Sequence, residues 1–565
     1  MNKRTILAAL LLSIGLLGLA YCMNTDVLAQ SATPSASSEV IRGIVRDQTG
    51  PVKGAIVRAL GTNRSAISAD DGTFALDSLA PERVVNLSAW ATGYFVAGKN
   101  DVSPGQTNVT LELAPRPTDD DPNYQWISAF KDPQQPLTCQ HCMGCTSCNP
   151  AKSTLPFDEW QRDAHSQSAS NPRFISMYNG TDLRSNKSPL TSYSFHLDYG
   201  KFPLRPDSTQ PYYGPGFKLD FPDSAGNCAA CHLPAASTNT PYQTDPNTAT
   251  GVGREGVACD LCHKIWNVRL DPATHLPYPN MPGVLSFDFY RPVEGKQIFI
   301  GPYDDVPGRS VYSPLYNRSE YCAPCHFGVF WNTTIYNSFG EWLASPYSNP
   351  QTGKTCQDCH MPHTGATHFA QPPPDSPRIA YERDPQTIFS HVMPGASNVN
   401  LLQNSVTMTT TAQHVGDNVT VQVAIVNDKT GHHVPTDSPL RNVLLVITAR
   451  DAQGRVLALR DGETLPAWAG DYAGQPGKGF AKVLEELWTE VSPSGAYWQA
   501  TRVVSDNRIA AFATDTSRYS FAAPPSGESI VEVKLLFRRA FYELMKQKGW
   551  SDPDIVMASF VATVQ

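Results

Sequence analysis

The pattern Cys-x-x-Cys-His occurs four times between residues 228 and 360, as Cys228-Ala-Ala-Cys231-His232, Cys259-Asp-Leu-Cys262-His263, Cys322-Ala-Pro-Cys325-His326 and Cys356-Gln-Asp-Cys359-His360. A random chain of this composition would hold about 0.01 such matches, taking residue frequencies as independent. The spacing has a chemical meaning. Two thiols three positions apart can add to the two vinyl groups on one edge of a haem, and the histidine that follows then lies against the iron. One copy alone also reads as a redox Cys-x-x-Cys, or as half of a zinc site that precedes a histidine by chance. Four copies with histidine in the same place leave covalent haem attachment as the reading.

The chain is therefore expected to carry four c-type haems, with Cys228, Cys231, Cys259, Cys262, Cys322, Cys325, Cys356 and Cys359 as attachment points. His232, His263, His326 and His360 are the expected proximal ligands. The segments between one motif histidine and the next cysteine span residues 233 to 258, 264 to 321 and 327 to 355, which predicts two close pairs of haems. Composition agrees with a chain wrapped around cofactors: 47 prolines, 39 glycines and 22 tyrosines favour loops and short strands over long helices. Charged residues make up only 17% and the net charge is -8, which leaves no basic face for nucleic acid. At 565 residues the chain exceeds one ordinary core.

Residues 1–29 read as an export signal, with Lys3 and Arg4 ahead of an apolar run from Ile6 to Ala20 and small residues at Val27-Leu-Ala29. Cleavage after Ala29 is expected, and membrane anchoring is the alternative. Haem attachment takes place outside the cytoplasm, so the signal and the motifs support each other and point to the periplasm, the cell surface or the medium. After a linker at 30–39, residues 40–114 alternate apolar and polar in short runs split by glycine turns, which predicts an all-β sandwich. The order of its pieces, Ile41-Arg-Gly43-Ile-Val45, Gly54-Ala-Ile-Val57, Asp70-Asp-Gly72-Thr-Phe74-Ala-Leu76 and Gly93-Tyr94 before Val109-Thr-Leu-Glu-Leu113, resembles the carboxypeptidase regulatory-like domain. That resemblance implies a spacer or docking module without an active site.

Residues 115–137, rich in proline and holding Asp119-Asp-Asp121, read as a second linker, and 138–398 as a loop-rich, partly helical haem domain. It begins with Cys139-Gln-His-Cys142-Met-Gly-Cys145-Thr-Ser-Cys148-Asn-Pro150. Three readings of these cysteines stay open: a [4Fe-4S] cluster, two disulfides, or a fifth haem on Cys145 and Cys148 with Asn149 where the proximal histidine should stand. Phe157 to Ala169 is expected to be one helix, capped by Asp158, with His165 on a face with Trp160 and Ala169.

Several of these strings resemble the multihaem families around the tetrahaem cytochrome of ammonia oxidisers: Trp160-Gln-Arg-Asp-Ala-His165, Gly256-Val-Ala-Cys259 to His263, Glu341-Trp342-Leu-Ala-Ser345-Pro346 and Lys354-Thr-Cys356 to Pro362. The resemblance covers about half the chain. It implies that His165 is a distal ligand, as is His391 after the last motif. His196 and His368 are weaker candidates, and His141, His275, His363, Met143 and Met361 have only proximity in their favour. Residues 399–565 read as a second, Ig-like β-sandwich with a helix near Ala540 to Lys548. Within it, Gly431-His432-His433-Val-Pro435-Thr436 resembles a loop of these cytochromes whose histidine reaches back to an iron. His432 matches that position, with His433 in reserve.

The expected function is electron transfer with mostly two histidines per iron. The partners are redox proteins, other haem subunits or a filament or envelope complex. A multihaem oxidoreductase acting on a small nitrogen or sulfur species at a five-coordinate haem is the alternative, and an adhesin or filament subunit a third.

Overall fold

The computed structural model describes residues 39–79, 84–130, 139, 155–293, 297–370 and 382–565. The expected export signal and Cys142, Cys145 and Cys148 lie outside the described residues. The protein is multidomain and mostly β, with a few short helices. No described helix is long and apolar enough to cross a membrane.

The N-terminal sandwich packs a three-stranded sheet (Thr73–Leu79, Glu39–Arg46, Val109–Glu112) on a four-stranded one (Ser65–Ile67, Ile56–Ala59, Val85–Trp90, Ala97–Val102). The period-two alternation turns Ile41, Val45, Val57, Leu76, Leu87, Val109 and Leu111 into its core. This sandwich is docked on the middle of the chain. Arg58 makes a two-pronged contact with Asp304 (3.0 and 2.7 Å), Val96 donates to the Ser310 carbonyl (3.1 Å), and Trp90 meets Tyr312 edge-on at 4.8 Å.

Residues 115–130, expected as a linker, are also fastened down. Asp120 accepts from Arg291, Tyr124 and Ile127 bind Asp260, and Ser128 and Ala129 bind Glu255. Among the described residues the middle region has helices of at most eight residues and two-stranded ribbons such as Ile265–Val268 with Phe287–Phe289. The helix expected over 157–169 runs only from Pro156 to Trp160. Asp158 does cap its start, accepting from the Leu155 N–H. Beyond Trp160 the side chains of Asp163, Ser166 and Ser168 bond to nearby backbone, which competes with helix propagation.

The C-terminal sandwich has a four-stranded sheet (Thr407–Val415, Asn418–Val426, Thr514–Ala522, Leu459–Asp461) on a five-stranded one (Thr501–Asp506, Gly477–Glu486, Asn442–Asp451, Ser529–Arg538, Ile555–Val564). The expected helix appears as Tyr542–Lys548. Its last residue is fully buried, and the Lys548 ammonium donates to the carbonyls of Ser176, Thr181 and Pro215 in the middle region.

Burial pushes the Lys548 ammonium down to about 7. The unfolded chain keeps its proton up to the ordinary lysine value of 10.5, so unfolding takes up a proton between those limits and stability rises with pH across that window. Melting curves at pH 7 and at about pH 9.5 should show this rise, and it should shrink in a Lys548→Met variant.

Candidate functional site

Each Cys-x-x-Cys-His string forms one short helical turn: Ala229–His232, Cys259–Cys262, Ala323–His326 and Cys356–His360. A helical turn puts positions i and i+3 on one side, so both thiols of a motif share a face. Turns this short do not persist in isolation and need packing partners. None of the eight motif cysteines forms a disulfide. Gly283, at φ +56°, passes so close to the first motif that an added Cβ would lie 2.2 Å from the Ala230 carbonyl and 2.9 Å from the Cys231 sulfur.

The four turns converge. The Cys231 thiol lies within bonding reach of Cys325, as does Cys322 of Cys356, and Cys262 lies near both Cys322 and Cys325. Spacing predicts two close pairs of haems. In the structure the third motif adjoins the first as well as the fourth, because residues 264–321 fold back through two small ribbons.

The histidines show the chemistry best. Nδ1 of His263 bonds to the Ile300 carbonyl (2.7 Å), that of His360 to Pro394 (2.8 Å), that of His432 to His433 (3.0 Å) and that of His232 to Ser168 (3.2 Å). His165 Nδ1 meets the Asp163 carboxylate at 2.6 Å, and His326 Nδ1 stands 3.8 Å from that of Asp437. A carbonyl can only accept, so Nδ1 of these four rings carries the proton and Nε2 presents its lone pair, the arrangement of a metal-binding imidazole. Burial pushes His263 down to about 3 and His360 down to about 4, keeping both neutral at pH 7. Burial also disfavours the His326 cation, but the Asp437 carboxylate outweighs it and the pKa rises. Phe174 lies flat on His232 at 3.9 Å and Phe299 on His263 at 3.9 Å, which fixes the planes of those rings.

Two pairs of imidazoles stand at a telling distance. The ring centroids of His165 and His326 are 6.3 Å apart, and those of His360 and His432 are also 6.3 Å apart. A metal–imidazole bond of about 2.0 Å on each side, plus roughly 1.1 Å from each nitrogen to its ring centre, gives roughly 6.2 Å. His391 is near enough to His263 to oppose its charging. Among the described residues no three His, Cys, Asp or Glu side chains are grouped as a zinc site would require. The donor set and its spacing fit haem held by two axial imidazoles.

The remaining candidates sit elsewhere. His196 is in an outlying hairpin, stacked on Tyr199 (4.7 Å) and 3.6 Å from Asp198. His368 bonds to its neighbour Thr367 (2.9 Å), and His363 packs on Phe389. His433 points to Glu341, 3.3 Å away, so that His432 is the one facing His360. His275 lies in a turn at φ +59°, Met361 follows the fourth motif helix, and His141 and Met143 are outside the described residues. Cys139 is a free thiol packed with Phe157, Trp160 and Ala258. Sequence reasoning missed the groups that hold the rings. Most are backbone carbonyls without any sequence signature, though Asp163, two residues before His165, carries a local one.

A solved penta-haem cytochrome c552 from Thermochromatium tepidum is similar over 75% of this chain and 99% of its own, with 20% identity and a TM-score of 0.50. The fold is multihaem cytochrome-like. Residues 40–114 match the carboxypeptidase regulatory-like domain, as their strand order implied. Weaker likenesses include a cohesin–X-dockerin complex of Acetivibrio cellulolyticus (14% identity, 14% of this chain and 58% of that one, TM-score 0.13) and the collagen-binding domain of a Staphylococcus aureus adhesin (7%, 28% and 95%, 0.12). No curated protein matches the chain.

Proposed function

We propose that the protein is an exported electron-transfer protein with c-type haems on its four motifs. The observation that carries this reading is the pair of imidazole couples, each 6.3 Å between centroids. In this reading the eight motif cysteines hold the porphyrins, and His232, His263, His326 and His360 ligate on one side. His391, His165 and His432 would supply the second imidazoles, partnering His263, His326 and His360. Bound haem supplies reversible one-electron chemistry, at lower potential with imidazole than with methionine in the axial place. The chain orients the rings through their Nδ1 bonds and shields them with Phe174, Phe299 and Tyr316. Redox proteins are the partners this implies, and the export signal at residues 1–29 puts their meeting outside the cytoplasm.

One observation favours the alternative, an oxidoreductase acting on a small nitrogen or sulfur species. Beside Cys228 lie Tyr336 and Tyr497, their rings 5.5 Å apart, with Arg441 and Asp437 near them. Hydroxyl and guanidinium groups at a haem with an open side could serve as acid and anion holder. The intact mass of the mature protein tests both readings. Four haem additions are expected, five if Cys145 and Cys148 also carry one, and none would overturn the proposal. Carbon monoxide should leave the reduced spectrum nearly unchanged for a conductor and bind about one haem per chain for the enzyme. Acid-labile sulfide would instead assign Cys139, Cys142, Cys145 and Cys148 to a cluster.

A further inference from the structure

The string Phe-x-Glu-Trp occurs twice outside the motifs, as Phe157-Asp-Glu159-Trp160 and Phe339-Gly-Glu341-Trp342. Both copies lie on short helices, Pro156–Trp160 and Ser338–Leu343, and both do the same things. Each tryptophan donates its indole N–H to the carbonyl two residues before a motif: Trp160 to Val257 ahead of Cys259, and Trp342 to Lys354 ahead of Cys356, at 2.8 Å in each case. The N–H of that same residue returns to the carbonyl five places after the tryptophan, Val257 to His165 (2.9 Å) and Lys354 to Tyr347 (3.0 Å). The preceding glycines, Gly256 and Gly353, approach those carbonyls so closely that an added Cβ would lie 2.3 and 2.0 Å away.

The glutamates complete the parallel. Glu159 accepts from the backbone N–H of His391 (2.8 Å) and from the Ser390 hydroxyl (3.0 Å). Glu341 accepts from the backbone N–H of His433 (3.0 Å), next to His432, and from the Thr436 hydroxyl (2.5 Å), and it pairs with Arg508 at 2.7 Å. Both carboxyl groups are buried, at 2% and 6% residue exposure. So one helix ties a motif turn through its tryptophan and the loop of the facing histidine through its glutamate. This happens once for His263 with His391 and once for His360 with His432.

We propose that Glu159 and Glu341 are equivalent positioning residues of a duplicated unit. Each sets the facing imidazole against its motif histidine and places a buried carboxyl group beside it that lowers the potential of the bound haem. The proposal rests on the ligand assignments given above. Its test uses the haem-loaded full chain with Glu159→Ala, Glu159→Gln and Glu341→Gln variants, read by spin state and by redox titration.

Glu159→Ala should turn about one haem per chain from low to high spin and add about one equivalent of carbon monoxide binding. Glu159→Gln and Glu341→Gln retain an amide oxygen that can accept the loop N–H. They should stay low-spin while one component of the titration moves to higher potential. A Glu159→Ala protein with full haem content, unchanged spin and unchanged titration would overturn the proposal. Where the alanine variant does not accumulate, the two glutamine variants decide, and unmoved potentials in both overturn it. A His391→Ala control separates the layers: if it too stays low-spin, the ligand reading itself fails and the proposal falls with it.

Discussion

A His432→Ala variant is expected to lose one low-spin haem per chain and to gain about one equivalent of carbon monoxide binding in the reduced state, with the haem count unchanged. The expectation follows from how the ring is held. His432 faces His360 across 6.3 Å, its Nδ1 is engaged by the His433 carbonyl, and its own carbonyl is gripped by Asn427 and Thr430. The neighbouring His433 is in no position to replace it. Its ring is turned to Glu341 and its N–H is bound to the same carboxylate. A His196→Ala variant serves as the control and should leave spin state and carbon monoxide binding as they are, since that ring is committed to the outlying hairpin. Low-spin signals unchanged in the His432 variant would remove the C-terminal sandwich from the redox unit.

Arg508→Met is expected to destabilise the protein by about 3–5 kcal/mol, because it strips a buried carboxylate of its cation. The side chains of Arg508 and Glu341 are 5% and 2% exposed and 2.7 Å apart, and Arg508 is further bound to Asp506 of the C-terminal sandwich. The pair is thus the electrostatic bolt between that sandwich and the helix Ser338–Leu343, working beside Trp331 on the Trp498 carbonyl and Lys482 on that of Thr334. Chemical denaturation measures the loss. Adding Glu341→Gln to Arg508→Met should cost less than the two single changes together, since each single change leaves the partner charge buried alone. Strict additivity would show that the two side chains act independently.

Where the chemistry sits was legible to different depths in different places. The four Cys-x-x-Cys-His turns were plain because two thiols and an imidazole at fixed local spacing are a pattern readable without the fold. The sandwiches were nearly as plain: Val419 to Val426, Val443 to Ala449 and Ile530 to Phe537 alternate or run apolar as strands must, and all three are strands. The helix over 157–169 misled, since its apolar spacing was right but Asp163, Ser166 and Ser168 offered the backbone closer partners.

Facing histidines belong to a different class of information. His165 precedes the third motif by more than 150 residues and His432 follows the fourth by 72, so no local pattern couples them. Resemblance picked them out; of the weaker candidates, His196 stacks on Tyr199 and His368 bonds to its neighbour Thr367. The sequence alone determined what the motif residues can bond to, because those bonds are made within five residues. Which histidine meets which, and that the third motif adjoins both the first and the fourth, was decided only by the tertiary structure. Those distances depend on how residues 264–321 fold back and how the C-terminal sandwich is bolted on.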